Sequence, residues 1–277
     1  MTTLVLNNVS LLPVPLADVV VAAADAGFDA ISVLARSYRY TAERAGHTTA
    51  SVRALVADHG LLITDVEATG DWLGPEPDDA PSRLRTVVYP TAELVDIAAQ
   101  LGATTLTAIH AGAAQPLDAS AAAFARLCDR AADVGLRVAL EFVAWMGIDS
   151  LATAWDVVRT ADRPNGGLLV DLWHHRRSSR DDDLLRSIPA ARVFSVQVCD
   201  ASAQPRGPLA EDVQHRTLPG EGELDVVGFL RTLAEMGVEA PIGVEVFDAG
   251  LVGRGAGEAA QVLYQALHDV VTQARPL

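Results

Sequence analysis

Four short apolar runs in the second half of the chain each carry one polar residue. They are Glu141 in Ala139-Leu-Glu-Phe-Val, Asp171 in Leu169-Val-Asp-Leu-Trp, Gln197 in Ser195-Val-Gln-Val-Cys and Glu245 in Gly243-Val-Glu-Val-Phe. A carboxylate inside an apolar strand is costly unless it is paired, protonated or bound to a metal. Three of them converging on one point repel one another unless a cation stands between them. Three carboxylates and one amide oxygen form a hard donor set that suits one divalent ion, Mn(II), Mg(II) or Co(II), better than a structural zinc does. Any one of these residues alone reads as a solvated strand end; their recurrence over four consecutive runs favours a shared site.

The elements that must position them alternate along the whole chain. Short β-rich runs are read at Leu4 to Leu11, Ala30 to Ala35, Leu61 to Ala68, Thr104 to His110, Arg137 to Val143, Gly167 to Trp173, Arg192 to Asp200 and Ile242 to Phe247. Amphipathic stretches lie between them, among them Leu16 to Ala26, Ala50 to Asp58, Ala92 to Leu101, Ala119 to Val134, Ser150 to Thr160 and Gly257 to Thr272. Five segments end on a helix-closing glycine: Gly27, Gly60, Gly102, Gly135 and Gly237. Eight such βα pairs predict a single-domain (β/α)8 TIM barrel over residues 1–277, with a doubly wound sheet as the alternative that spacing alone leaves open. Two long irregular connections, Thr69 to Thr86 and Ala201 to Gly222, follow strands and would lie over the carboxyl-end face.

Composition removes several function classes. The 277 residues carry a formal net charge of -15, which opposes binding to nucleic acid. All 21 basic residues are Arg, so Schiff-base, pyridoxal-lysine and P-loop-lysine chemistry is excluded. No signal-peptide pattern and no apolar run of membrane-spanning length is present, which predicts a cytoplasmic protein with no membrane partner. Cys128 and Cys199 are too few for a thiolate cage or a disulfide framework and read as core residues.

Glu141, Asp171, Gln197 and Glu245, together with Asp171-Leu-Trp-His174 and Arg216-Thr-Leu-Pro-Gly-Glu-Gly, resemble the sugar phosphate isomerase/epimerase family of xylose-isomerase-like TIM barrels. The resemblance implies that the four strand residues bind one divalent ion and that Glu141 and Glu245 also exchange protons with a small polyhydroxylated substrate. It implies isomerisation or epimerisation of a sugar or keto-polyol through an enediolate, with a hydro-lyase using the same site as the alternative. Gln197 stands where the ketose 3-epimerases usually have His and is more similar to the inosose and 3-dehydroshikimate dehydratases. Val143 departs from the dehydroshikimate enzymes, which would have a catalytic His there. An endonuclease IV-like activity would need a His-rich zinc cluster and a basic face, and this chain supplies neither. A barrel that binds sugar or a partner protein without catalysis is the alternative of a different class.

Around this set, the family pattern favours His174 as a catalytic hydrogen-bonding group, with His175 as its competitor. Arg216 is a candidate clamp for a carboxylate, phosphate or diol, or the holder of its own loop; Arg36 has a weaker claim. Glu67, His110, Trp145 and Trp173 are candidate substrate contacts or supports, and Trp72 reads as a further pocket wall or as rim packing. With no Lys to receive a phosphate, an unphosphorylated substrate is favoured; a homo-oligomer is compatible with the sequence.

Overall fold

The βα alternation closes into a barrel in which all eight strands run parallel and neighbour one another in chain order. The strands are β1 (Leu4–Asn7), β2 (Ala30–Leu34), β3 (Leu62–Thr69), β4 (Thr105–Ala108), β5 (Arg137–Glu141), β6 (Gly166–Asp171), β7 (Val193–Val198) and β8 (Ile242–Val244). The helices that matter below are α1 (Leu16–Ala26), α2 (Thr49–Asp58), α3 (Thr91–Leu101), α4 (Leu117–Ala132), α5 (Leu151–Ala161), α6 (Leu172–Arg177), α7 (Asp182–Ser187), α8 (Val226–Glu235) and α9 (Ala256–Ala274). The structure is a computed structural model and describes residues 2–74 and 89–275. Most of the loop expected at Thr69 to Thr86 therefore lies outside the described residues. No helix among the described residues is long and apolar enough to cross a membrane.

Alternating side chains sort the strands into two faces. Leu6, Ile31, Val66, Leu106, Leu140 and Val170 are fully buried in the layer between sheet and helices. The opposite faces fill the barrel interior. Ala139, Leu169 and Phe194 form a separate buried cluster there, and the Arg137 guanidinium lies 4.7 Å from the Phe194 ring centre. Gly167 is required at this level, because a Cβ would stand 2.6 Å from the Phe194 ring. The lower interior is thus plugged by apolar atoms, and polar side chains collect above it.

Helix ends follow the sequence closely. All five glycines expected to close helices take positive φ, between 73° and 98°, the region glycine enters without steric cost. Helix α2 starts with a reciprocal capping box between Thr48 and Ser51.

Strand ends are shorter than the apolar runs suggest. The run from Leu4 ends as a strand at Asn7 and continues as a tight turn over Asn8–Leu11. The sixth run ends at Asp171 and continues as α6, so Trp173 is helical. The eighth run ends at Val244, one residue before Glu245. The cause is burial without strand pairing: Trp173 and Val246 are 0% and 1% exposed although neither lies in a strand. Apolarity marks what is covered, and in a barrel the residues just past the strand ends are covered too.

Candidate functional site

Register brings the four strand residues to one end of the barrel. Asp171 pairs with Gln197; Gln197 pairs with Gly243, two residues before Glu245; and Glu141 pairs with Leu169, two residues before Asp171. Barrel strands tilt, so side chains at one height are offset in register around the ring. Steps of zero or two residues keep the side-chain parity, and all four point to the same interior.

Asp171 joins strand to helix. Its Oδ1 accepts the His174 backbone N–H at 2.9 Å and caps α6, while its Oδ2 accepts from Arg216 at 2.9 Å. Arg216 is the hub: its Nη1 donates to both Asp171 and Glu245 Oε2, the latter at 2.5 Å, and its Nη2 lies 3.3 Å from His174 Nε2. The guanidinium is sandwiched between the Trp173 and Phe247 rings, 5.1 and 4.9 Å from their centres. Burial works against its charge, but the neighbouring groups, led by Asp171, outweigh burial and hold it protonated.

Burial and mutual repulsion disfavour the charged forms of the site's carboxylates. Burial raises Glu141 well above the usual carboxylate range, with Glu245, Asp171 and Glu67 adding to the rise and Arg216 opposing it. Glu245 is pushed up to about 8, first by burial. Without a cation these raised values hold protons on Glu141 and Glu245; a divalent ion would supply positive charge that lets them ionise. His174 is lowered to about 3 by burial, so its ring is neutral. Its Nε2 lies 3.8 Å from Glu141 Oε1. Among the described residues, Glu141, Asp171 and His174 place ligand atoms within 4.8 Å of one another, close enough to share a metal ion.

Gln197 is 1% exposed; its Nε2 donates to Glu67 Oε1 at 3.1 Å, and its Oε1 has no partner among the described residues. A buried amide oxygen left bare is an acceptor awaiting a donor or a cation. The donor types of Glu141, Asp171, Gln197 and Glu245, three carboxylates and a bare amide oxygen, are those a divalent ion takes.

The remaining candidates divide. Trp145 is half-buried and its ring packs on His174, 5.4 Å between centres, so it borders the mouth. Trp173 is completely buried beneath Arg216 and Arg177; it supports Arg216 and presents no surface to a substrate. His175 faces away from the mouth, with its Nε2 2.8 Å from Asp182 and its ring against Phe229. His110 is buried at the end of the fourth stave, its Nε2 bonded to the Ala113 carbonyl at 3.0 Å and its ring near Trp72. Glu67 is buried and engaged by Asn7 and Gln197. Arg36 lies in the short turn Ala35–Ser37 after β2.

Two supporting residues give little signal in the sequence. Asp200 closes the seventh apolar run in the sequence and lies just past β7, where its carboxylate accepts the backbone N–H groups of Ala201, Gly220 and Leu224 at 2.9 to 3.1 Å. Its own backbone pairs with Thr217 in both directions. This knot fixes the turn after Arg216 and so aims the guanidinium. Asp212, equally unassuming, forms a buried ion pair with Arg177 at 2.8 Å across the same loop. Asp200→Ala is expected to cost about 3 kcal/mol, because three N–H groups lose a charged acceptor. Urea unfolding measures this, and Asp200→Asn, which keeps one oxygen, is expected to lose less; an unchanged midpoint for Asp200→Ala would contradict the assignment.

Comparison with known proteins bears on the fold and the family. A 3-dehydroshikimate dehydratase of Pseudomonas aeruginosa is 30% identical over 233 residues, covering 83% of this chain and 36% of the relative. The chain thus spans about a third of the length of the dehydroshikimate dehydratases that it matches. An inosose isomerase of Bacillus subtilis is 29% identical over 149 residues, 53% of each chain. The crystal structure of IOLI protein with a binding zinc atom matches with a TM-score of 0.87 at 21% identity, over 100% of both chains. The description "Xylose isomerase-like TIM barrel" matches residues 20–266. With its closed eight-stranded barrel and this match across most of its length, the chain belongs to the xylose isomerase-like TIM barrel family.

Proposed function

We propose that this protein is a divalent-metal-dependent isomerase or epimerase of a sugar or related keto-polyol. The observation that carries the reading is that Glu141, Asp171, Gln197 and Glu245 share the inward face at the carboxyl end of the barrel, with Glu141 and Glu245 raised by burial and by neighbouring carboxylates and the Gln197 amide oxygen bare. Those four residues would hold the ion. When bound, the ion supplies Lewis acidity toward a substrate carbonyl and its neighbouring hydroxyl, which makes the adjacent C–H bond acidic. Relatives named inosose isomerase and ketose 3-epimerase support the reaction class.

The chain's own residues then handle protons. Glu141 and Glu245 approach from β5 and from the end of β8, and either carboxylate is a candidate base with the other returning the proton. Arg216 stays charged throughout, holds Glu245 in place and faces negative charge that develops on substrate oxygen. His174 is neutral and lies beside Glu141, positioned to hydrogen-bond a substrate hydroxyl. Trp145 screens His174 from water on one side.

A second reading, dehydration of a keto-polyol by the same first proton abstraction, is favoured by the match to dehydroshikimate dehydratases over 83% of this chain. Incubating the protein with candidate keto-polyols and Mn(II) in D2O separates the two. Deuterium entry at the carbon beside the carbonyl without loss of water is the expected NMR and mass result. A new conjugated carbonyl with loss of water would select the lyase, and no exchange with any keto-polyol would overturn both.

A further inference from the structure

Below the mouth, the barrel interior holds a polar layer that the proton chemistry does not use. Asp65 and Glu67 lie two residues apart on β3 and share its inward face, 3% and 6% exposed. Glu67 Oε1 accepts two amide donors, Asn7 Nδ2 at 2.7 Å and Gln197 Nε2 at 3.1 Å. Asn7 reaches this point across β8 at Gly243, where a Cβ would overlap its side-chain oxygen. Glu67 is raised well above the usual carboxylate range by burial and then by Asp65.

An amide side chain is nearly symmetric in shape, so the same space accepts it with oxygen and nitrogen exchanged. Only one of the two orientations gives a cation an oxygen. Glu67 breaks the symmetry, because the oxygen that meets Gln197 accepts hydrogen bonds. The bond forms with the Gln197 amino group toward Glu67, which turns Oε1 away from it, and Oε1 is the atom left without a partner among the described residues. A flipped amide would set two oxygens against each other and aim N–H groups at the ion.

We propose that Glu67 is a positioning residue that fixes the Gln197 amide so that its oxygen is presented to the divalent ion. The proposal rests on the metal reading given above. It assigns Glu67 a different part from substrate contact: it acts through Gln197, as a carboxylate acts through the far nitrogen of a metal-bound histidine.

The test is Mn(II) affinity, read from the electron paramagnetic resonance signal of free Mn(II) during titration, in five proteins: wild type, Glu67→Met, Glu67→Gln, Gln197→Ala and the Glu67→Met/Gln197→Ala double variant. Glu67→Met is expected to weaken Mn(II) binding about 10- to 100-fold. In the Gln197→Ala background the same change is expected to add less than about threefold, because the group it orients is gone. Glu67→Gln, whose amide oxygen accepts both bonds, is expected to stay within about threefold of wild type. An equal loss from Glu67→Met in both backgrounds would overturn the proposal. So would a tenfold or greater loss in Glu67→Gln, which would mean that the charge of Glu67 acts directly on the ion; this isosteric variant can overturn the proposal even where Glu67→Met does not fold. Failure of wild type to take up Mn(II) would instead remove the metal reading, and the proposal with it.

Discussion

Glu245→Gln is expected to abolish turnover while leaving the barrel folded. The variant keeps the shape of the side chain and its bond from Arg216, but removes a carboxylate able to accept a proton and to neutralise a cation. Loss of a positioned acid or base costs roughly a hundred- to ten-thousandfold in rate, and loss of one charged ligand weakens the ion's hold as well. Folding tolerates the change because the amide fills the same space and leaves the Glu245 backbone N–H bond to the Val198 carbonyl of β7 at 3.0 Å intact. Its charge is also disfavoured in the metal-free protein, where burial first, and then Glu67 and Asp171, push its pKa up to about 8 against the pull of Arg216. The sign of the pH effect follows. A folded value above the unfolded 4.5 means that this group's contribution to stability is complete below about 4.5 and is lost as pH rises through about 8. In chelator, the melting temperature of wild type is therefore expected to fall over that range more steeply than that of Glu245→Gln. Thermal melts at several pH values check this, and retained activity in Glu245→Gln would contradict its role.

Arg216→Met is expected to damage the fold most in the absence of metal. The Arg216 side chain is 0% exposed and serves Asp171 and Glu245 at once. Removing one partner from a buried ion pair strands the other charge and costs about 3–5 kcal/mol. Mn(II) is expected to restore part of that loss, because a divalent ion neutralises the same carboxylates. Turnover is expected to stay low even with Mn(II), since the donor facing developing charge is missing. Arg216→Lys is expected to rescue little: a single ammonium cannot reproduce a planar fork held between Trp173 and Phe247 while reaching both carboxylates. Urea unfolding in chelator and in Mn(II) measures the effect; equal midpoints for wild type and Arg216→Met in chelator would contradict it.

The fold is legible in the sequence because each βα unit repeats the same local signals, and helix-closing glycines such as Gly102 and Gly237 take the backbone conformation their position implies. Glu141, Asp171, Gln197 and Glu245 stand out for a related reason: a polar residue inside an apolar run contradicts its surroundings. The rest of the site lacks that contrast. Asn7 ends a strand run that reads as continuing to Leu11, and Asp65 shares its run with Thr64 and Glu67, which dilutes the contrast although the barrel buries it. Asp200 organises a loop through backbone N–H groups, which no residue pattern announces. Trp173 misleads in the opposite direction, since an aromatic just past a strand suits a pocket wall and a packed support equally; the turn into α6 decides for support.

The dependence on metal is what unites these expectations, and a crystal grown with Mn(II), with diffraction recorded at the manganese absorption edge, tests it most directly. One anomalous peak, with oxygens of Glu141, Asp171, Gln197 and Glu245 about 2.0 to 2.4 Å away, is the predicted result. No peak at the carboxyl end of the barrel, or a peak that leaves those four side chains uncoordinated, would contradict it.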